Sequence, residues 1–315
     1  MLKARHFLSV FCLVCAILPS APADETAESP EPIESLRAKA EAGDAEAQCR
    51  LGERLYHGTD CEKNLEEAVL WFRASANQGN AQSQYNYAHC LDFGDGCAQD
   101  QSEALVWYRA AANQGNANAQ FCWGVNLING YGCRVSEENE KEGVKWLRAG
   151  ADSGNDMAQW YYADCLIAGR GCEADPEEGY RLIRDSAEKG NVYAQGSLAY
   201  CLMEGIGCAA DPEEGVKWCR RAAERESVND QYYLAECLAN GMGCEKNLEE
   251  AVKWYREAAE KQHPDAQYRL GLCLAGGEGC QKNSEEALEW IRAAAKWNKD
   301  AQEYLRGIEE NPPQR

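Results

Sequence analysis

Between residues 45 and 298 the apolar positions recur with two periods, one near the 3.6 residues of an α-helix and one of 36 residues. Aligned on the long period, units begin at Ala45, Ala81, Ala117, Asp156, Val192, Val228 and Pro264, with a partial one from Lys299. Within the seventh unit Tyr268, Leu270 and Leu274 line a stripe at helical spacing, and Gly271 offers a close approach to a neighbour. A Gly-x-Gly-Cys turn follows, such as Gly241-Met242-Gly243-Cys244 in the sixth unit. A second helix then opens on Asn64, Asp100, Asp175, Asp211, Asn247 or Asn283 as N-cap. Each has a glutamate three residues on: Glu67, Glu103, Glu178, Glu214, Glu250 and Glu286, the pattern of a capping box. Pro176 and Pro212 take the first helical position, and Gly79, Gly115, Gly154 and Gly190 stand where C-terminal caps belong.

Trp71, Trp107, Trp146, Trp218, Trp254 and Trp290 hold one position of that second helix, and Leu182 fills it in the fourth unit. An isolated helix pair cannot bury its apolar stripe, whereas stacked pairs share a continuous core. The expected fold is therefore all-α, a solenoid of seven helix-turn-helix repeats over 45–298, with no strand pattern anywhere. Segments 24–44 and 299–315 contain partial helices, 32–42 and 299–310, that cover the ends, and the polar run 24–31 reads as a disordered lead-in.

Residues 1–23 lie outside this pattern. Lys3 and Arg5, the apolar run Phe7 to Leu18 and the small residues Ala21-Pro22-Ala23 form the layout of a cleaved export signal. That run is shorter than the roughly 20 residues of a membrane span. The expected location is secreted or periplasmic. The net charge of -20 becomes -22 once Lys3 and Arg5 are lost, which disfavours nucleic acid and anionic membranes. Solubility explains the charge, and a cationic partner is the sharper alternative.

Fifteen of the 17 cysteines follow the leader. Five pairs with six residues between their members recur at one place in the repeat: Cys90/Cys97, Cys165/Cys172, Cys201/Cys208, Cys237/Cys244 and Cys273/Cys280. An oxidising compartment turns such thiols into disulfides. The Ala-x-x-x-Leu/Tyr-Gly/Ala opening, the Gly-x-Gly turn and the Glu-Ala-x-x-Trp-x-x-x-Ala-Ala second helix together resemble Sel1-like repeats, relatives of the tetratricopeptide repeat. With Cys-x6-Cys added, the chain is similar to bacterial secreted cysteine-rich proteins of the Hcp type. That resemblance implies a right-handed α/α superhelix with one disulfide inside each repeat. It also implies either an interaction scaffold or penicillin binding with weak β-lactam hydrolysis.

Each regular bridge would staple two antiparallel helices at their shared end, contributing roughly 2–3 kcal/mol on loop-entropy reasoning. A Cys-x-x-Cys spacing, which redox or metal chemistry favours, does not occur. In the third unit Asn126 takes the usual place of the helical cysteine and Cys122 lies one turn earlier. Three extra residues around Ser136-Glu137-Glu138 follow Cys133, so a longer loop compensates in a Cys122–Cys133 bridge. In the first unit Arg54 occupies the place, and Cys49 faces about 140° away, leaving the pairing of Cys49 and Cys61 open. Cys219 replaces an apolar set (Phe72, Tyr108, Leu147, Ile183, Tyr255, Ile291) and reads as a buried thiol or an intermolecular link.

Catalytic patterns are weak. Ser186-Ala187-Glu188-Lys189 matches the Ser-x-x-Lys of penicillin-recognising enzymes, yet the sixth unit reads Ala258-Ala259-Glu260-Lys261 at the same place. His57, His89 and His263 show no metal spacing, and the paired glutamates are accounted for by capping. No catalytic residue, metal or cofactor is assigned. Three first-helix positions vary in chemistry while their neighbours stay apolar: Asn86/His89/Phe93, Tyr161/Asp164/Ala168, Ser197/Tyr200/Glu204 and Tyr233/Glu236/Asn240, with Arg50/Glu53/His57 in the first unit. Asn86, His89, Tyr161, Asp164, Tyr200 and Tyr233 are the candidate wall for a protein or peptide ligand in a concave groove of a monomer. The plainer reading makes them an exposed helix face.

Overall fold

A computed structural model describes residues 31–131 and 134–310. The proposed leader 1–23, most of the lead-in, Cys133 and the last five residues lie outside them. The described residues form sixteen α-helices, an α-solenoid with two helices per repeat. They divide into two compact units, one up to Ala174 and one from Asp175.

The first unit holds α1 (Ile33–Glu41), α2 (Ala45–His57), α3 (Leu65–Asn77), α4 (Ala81–Phe93), α5 (Gln101–Asn113), α6 (Ala117–Asn129), α7 (Glu137–Asp152) and α8 (Asp156–Ala168). Its helices pair as α2 with α3, α4 with α5 and α6 with α7, and each pair packs on the next. The second unit holds α9 (Pro176–Glu188), α10 (Val192–Glu204), α11 (Pro212–Glu224), α12 (Val228–Asn240), α13 (Leu248–Glu260), α14 (Pro264–Gly276), α15 (Ser284–Ala294) and α16 (Lys299–Glu310). Here α10 pairs with α11, α12 with α13 and α14 with α15.

Inside each pair a small residue on the first helix receives a large one from the second. Gly52 lies under Phe72, Gly124 under Leu147 and Gly271 under Ile291, whose Cγ1 would sit 2.5 Å from a Cβ at Gly271. Phe72, Tyr108, Leu147, Ile183 and Ile291 are accordingly among the most deeply buried side chains. The second glycine of the Gly-x-Gly turn serves the junction between repeats. Gly243 (φ 66°) presses on the Pro212 carbonyl that opens the second helix of the preceding repeat, and Gly279 does the same at Leu248. A Cβ at either would stand inside contact distance of that oxygen.

The expected N-caps are all present: the side chains of Asn64, Asp100, Asp175, Asp211, Asn247 and Asn283 each accept from the backbone N–H three residues on. The reciprocal half of the capping box is replaced. The backbone N–H groups of Asn64, Asp100, Asp211, Asn247 and Asn283 already donate to carbonyls of the first helix, Leu55, Leu91, Leu202, Leu238 and Leu274, at 2.8–2.9 Å. The glutamate carboxylate is thereby released for other partners. It accepts the indole N–H one turn on (Trp71 to Glu67 3.2 Å, Trp254 to Glu250 3.4 Å, Trp290 to Glu286 3.3 Å). It also pairs with an arginine of the preceding repeat: Arg37 with Glu67, Arg220 with Glu250 and Arg256 with Glu286. Capping alone therefore does not account for these glutamates.

The three extra residues of the third repeat enter a helix rather than a loop. Ser136 is the N-cap of α7, which runs 16 residues where its counterparts α3, α5 and α13 run 13. The extra turn lies ahead of Trp146, so Glu142 still accepts from the indole at 3.4 Å.

Candidate functional site

The loop cysteines come to rest against their helical partners. Sγ of Cys97, Cys172, Cys208 and Cys244 lies 3.5, 3.6, 3.7 and 3.7 Å from the carbonyl oxygen of Cys90, Cys165, Cys201 and Cys237 respectively. The helical member is buried and the loop member partly exposed in these four pairs, whereas both Cys273 and Cys280 are partly exposed. No S–S bond joins the described cysteines. As thiols they are poor nucleophiles: burial pushes Cys237 up to about 12 and Cys273 up to about 11. In the first repeat Cys61 takes the same seat, but the carbonyl beside it at 3.4 Å is that of Arg54. Cys49 is buried further back on α2, its Sγ 3.9 Å from Glu53 Oε1. Cys122 is buried on α6. Cys219 is buried in the core of the second unit, where its Sγ meets the Asp230 carbonyl at 3.5 Å.

The variable first-helix positions separate into distinct local networks. Asn86 and His89 are 2% and 0% exposed, so both hold the first unit together instead of presenting a surface. Asn86 accepts from Gln82 at 2.9 Å and donates to Glu53 at 3.2 Å. The His89 ring lies 4.7 Å from that of Phe93 and within 6.4 Å of those of Tyr56 and Tyr85. Burial raises the Glu53 carboxyl above its ordinary value. Further along, the Tyr161 hydroxyl bonds with Asn129, and Arg170 reaches Asn129, the Ile128 carbonyl and Glu140, at 3.2, 2.7 and 3.1 Å. Burial lifts Asp164 to about 7, with Arg170 opposing the shift. In the second unit Tyr200 and Tyr233 remain partly exposed. Their neighbour Glu236 is buried, accepts the Tyr255 hydroxyl and pairs with Arg269 at 3.0 Å.

The Ser-x-x-Lys match has no catalytic geometry. Ser186 is fully buried, while Lys189 lies on the surface paired with Asp185 at 2.7 Å. His263 is the N-cap of α14 and stacks on Tyr232 with ring centroids 4.6 Å apart. An open depression of about 970 Å³ follows α7 and is lined by Glu137, Lys141, Glu142, Lys145 and Trp146. Among the described residues no group of three His, Cys, Asp or Glu side chains is arranged to hold a metal ion. None of the described helices is long and apolar enough to cross a membrane.

Two structural columns escaped the sequence reading. One is a buried glutamine at the fourth place of each repeat. Gln48, Gln84, Gln120, Gln195, Gln231 and Gln267 each donate Nε2–H to a carbonyl eight residues back, at 3.0–3.4 Å. The other is the arginine that pairs with the glutamate 30 residues ahead. Both are visible as recurring letters, but periodicity alone does not reveal a bond between repeats.

Comparison with known proteins agrees with this architecture. The Sel1 repeat matches residues 45–80, 81–116, 117–155, 156–191, 192–227, 229–263 and 264–296. Among solved structures, c5321, a protective antigen of uropathogenic Escherichia coli strains with an SLR fold, is 32% identical with a TM-score of 0.72. The match covers 90% of this chain and 60% of that one, so this chain spans only part of that relative's length. A Sel1 repeat protein from Oxalobacter formigenes is 29% identical with a TM-score of 0.70, over 88% of this chain and 80% of that one. Helicobacter pylori cysteine rich protein B is 19% identical over 51% of this chain and 96% of that one, at a TM-score of 0.29. None of the curated proteins matches the chain. Seven consecutive matches, on a fold of paired helices held by repeated glutamine, glycine and tryptophan positions, establish that the chain belongs to the Sel1 repeat family.

Proposed function

We propose that the protein is an exported scaffold, locked repeat by repeat by short disulfides, that binds a protein or peptide through its first helices. The carrying observation is the contrast between columns. Glutamine, small residues and tryptophan are kept from repeat to repeat, while the sixth place carries Arg50, Tyr161, Tyr233 or Arg269, and the ninth place of the fifth repeat Tyr200, in partly or fully exposed settings. A face that varies on a constant frame suits recognition of a partner and gives no assembled catalytic group. Tyrosine offers a large contact area at small entropic cost. Since Asn86 and His89 are buried, the recognising set narrows to Tyr161 and Arg50 in the first unit and Tyr200 and Tyr233 in the second.

The disulfide part rests on the seats of the loop sulfurs, each against the carbonyl of its own partner cysteine. Export rests on the leader-like residues 1–23 and on the number of cysteines behind them. The test of binding is capture of partners from exported proteins by the oxidised chain, compared with a Tyr161→Ala, Tyr200→Ala, Tyr233→Ala triple variant. The variant is expected to lose at least tenfold in affinity for the captured partner, and equal binding by both removes this face from the proposal.

A further inference from the structure

Two residues break the repeat pattern at one spot in the second unit. Tyr85, Phe121, Trp160, Tyr232 and Tyr268 occupy the fifth place of five repeats and Cys49 that of the first, but the fifth repeat has no side chain there, only Gly196. The third place holds Ala47, Ala119, Ala158, Ala194 or Ala266, all buried, with Ser83 in the second repeat and Asp230 in the sixth. The two exceptions meet: a Cβ at Gly196 would stand 2.5 Å from Asp230 Oδ1 and 2.6 Å from Oδ2. The carboxyl of α12 thus occupies space on α10 that an aromatic ring fills in other repeats.

The surroundings of this carboxyl contain no counter-charge. Gly196 faces it from α10, and the Cys219 thiol of α11 touches its backbone carbonyl. Ser227, from the turn, gives its hydroxyl to Asp230 Oδ2. That hydroxyl is diverted from capping: Ser227 makes no side-chain cap bond, whereas Asp44, Asn80, Asn116, Asn155, Asn191 and His263 all do. Nearby charged groups are engaged elsewhere, Arg220 with Glu250, Arg225 with the Gly190 carbonyl and Glu226 with Lys261. Among the described residues none forms an ion pair with Asp230.

We propose that the Gly196–Asp230 contact is a proton-sensitive joint, tight when the Asp230 carboxyl is neutral and loosened when it ionises. Burial pushes this carboxyl up to about 6 against an ordinary 3.8, and the Ser227 hydroxyl only partly offsets the shift. A folded-state value above the unfolded one stabilises the fold in acid. That contribution is complete below the ordinary value and is lost as pH rises through about 6. Between pH 5 and 7.5 the linkage amounts to about a tenfold change in the closed-to-open ratio. Tyr200 follows Gly196 by one helical turn and Tyr233 follows Asp230 by one, so the joint adjoins the partly exposed tyrosines of this unit along the same two helices.

The test is hydrogen exchange on the full-length protein at pH 5 and 7.5, corrected for the intrinsic rate at each pH. The variants are Asp230→Asn, a neutral isostere, and Asp230→Ala, which restores the alanine of the other repeats. In the unaltered chain, protection in α10 to α12 is expected to fall about tenfold from pH 5 to 7.5, and in both variants to stay level. An equal fall in the variants, or none in the unaltered chain, overturns the proposal. A carboxyl carbon resonance of Asp230 titrating near 4 overturns it as well.

Discussion

At the scale of single residues, the repeats are joined by groups whose partner lies in the next or the preceding unit. Gln84 is the simplest case. Its amide donates to the Ala76 carbonyl at 3.3 Å in a buried setting, and its oxygen accepts from the more exposed Gln114 at 2.8 Å. Replacement by alanine removes both bonds while the Ala76 carbonyl keeps the Gly79 N–H at 2.9 Å, so Gln84→Ala is expected to cost about 1–2 kcal/mol in urea unfolding. A change in the opposite direction is available where the inter-repeat turn lacks its glycine. Glu226 and Gln262 adopt φ of 67° and 66° at the place held by Gly79, Gly115, Gly154 and Gly190. Gln262→Gly is expected to raise stability by roughly 1 kcal/mol, read as a higher unfolding midpoint. Both effects were hidden in plain letters. The sequence displays the glutamine column, yet a helical stripe argument assigns meaning to apolar spacing and is silent on an amide that reaches eight residues back.

Helices were the most legible level, because their ends are written in residues with strong local preferences. The six expected N-caps of the second helices and the glycines after them stand where local chemistry places them. Asn247→Ala, which removes the acceptor for Glu250 N–H at 3.1 Å, is expected to destabilise by about 1 kcal/mol in thermal unfolding. What local preference did not decide is where Ser136-Glu137-Glu138 would go. Ser136 caps as well as any loop residue would, and Glu137 and Glu138 favour a first helical turn, so the insertion lengthens α7. The capping box failed for a tertiary reason: the N–H it needed was already bonded to the first helix. The freed glutamates give the seams a pH dependence of opposite sign to Asp230. Arg220 first, then the Trp254 indole, holds Glu250 below the ordinary 4.5 despite burial, and Arg256 and Trp290 do so for Glu286. Their contribution is present above 4.5 and lost as pH falls through the lowered folded values. Glu250→Gln is therefore expected to flatten the loss of stability on acidification below pH 4.5, measured by circular dichroism.

For the whole molecule, the family and the fold class were readable from the 36-residue register, while the exposure of the proposed recognising residues was only half readable. Variation between repeats marked Asn86 and Tyr161 alike, although one is buried in a network with Glu53 and the other keeps partial exposure. Burial depends on which neighbours fill the adjoining space, and that is fixed by packing rather than by spacing. The proposed staples provide a measurable consequence at this scale. Alkylation of the unreduced protein, produced with oxidising export, followed by mass measurement is expected to leave ten or more cysteines protected, counted from the five regular pairs. Reduction is then expected to lower the melting temperature by ten degrees or more, at roughly 2–3 kcal/mol for each short loop.

The contact of Gly243 with the first carbonyl of α11 makes the second unit editable in whole modules. Gly279 makes the same contact one repeat later, with Leu248. Excision of residues 228–263 would splice Ser227 to Pro264 and deliver Gly279 to the vacated oxygen of Pro212, recreating the junction with native parts. An excision a few residues longer or shorter than one 36-residue repeat would bring a side chain to that oxygen and jam the splice. Gene duplication and loss can therefore lengthen or shorten such a chain freely, provided the crossover respects the glycine.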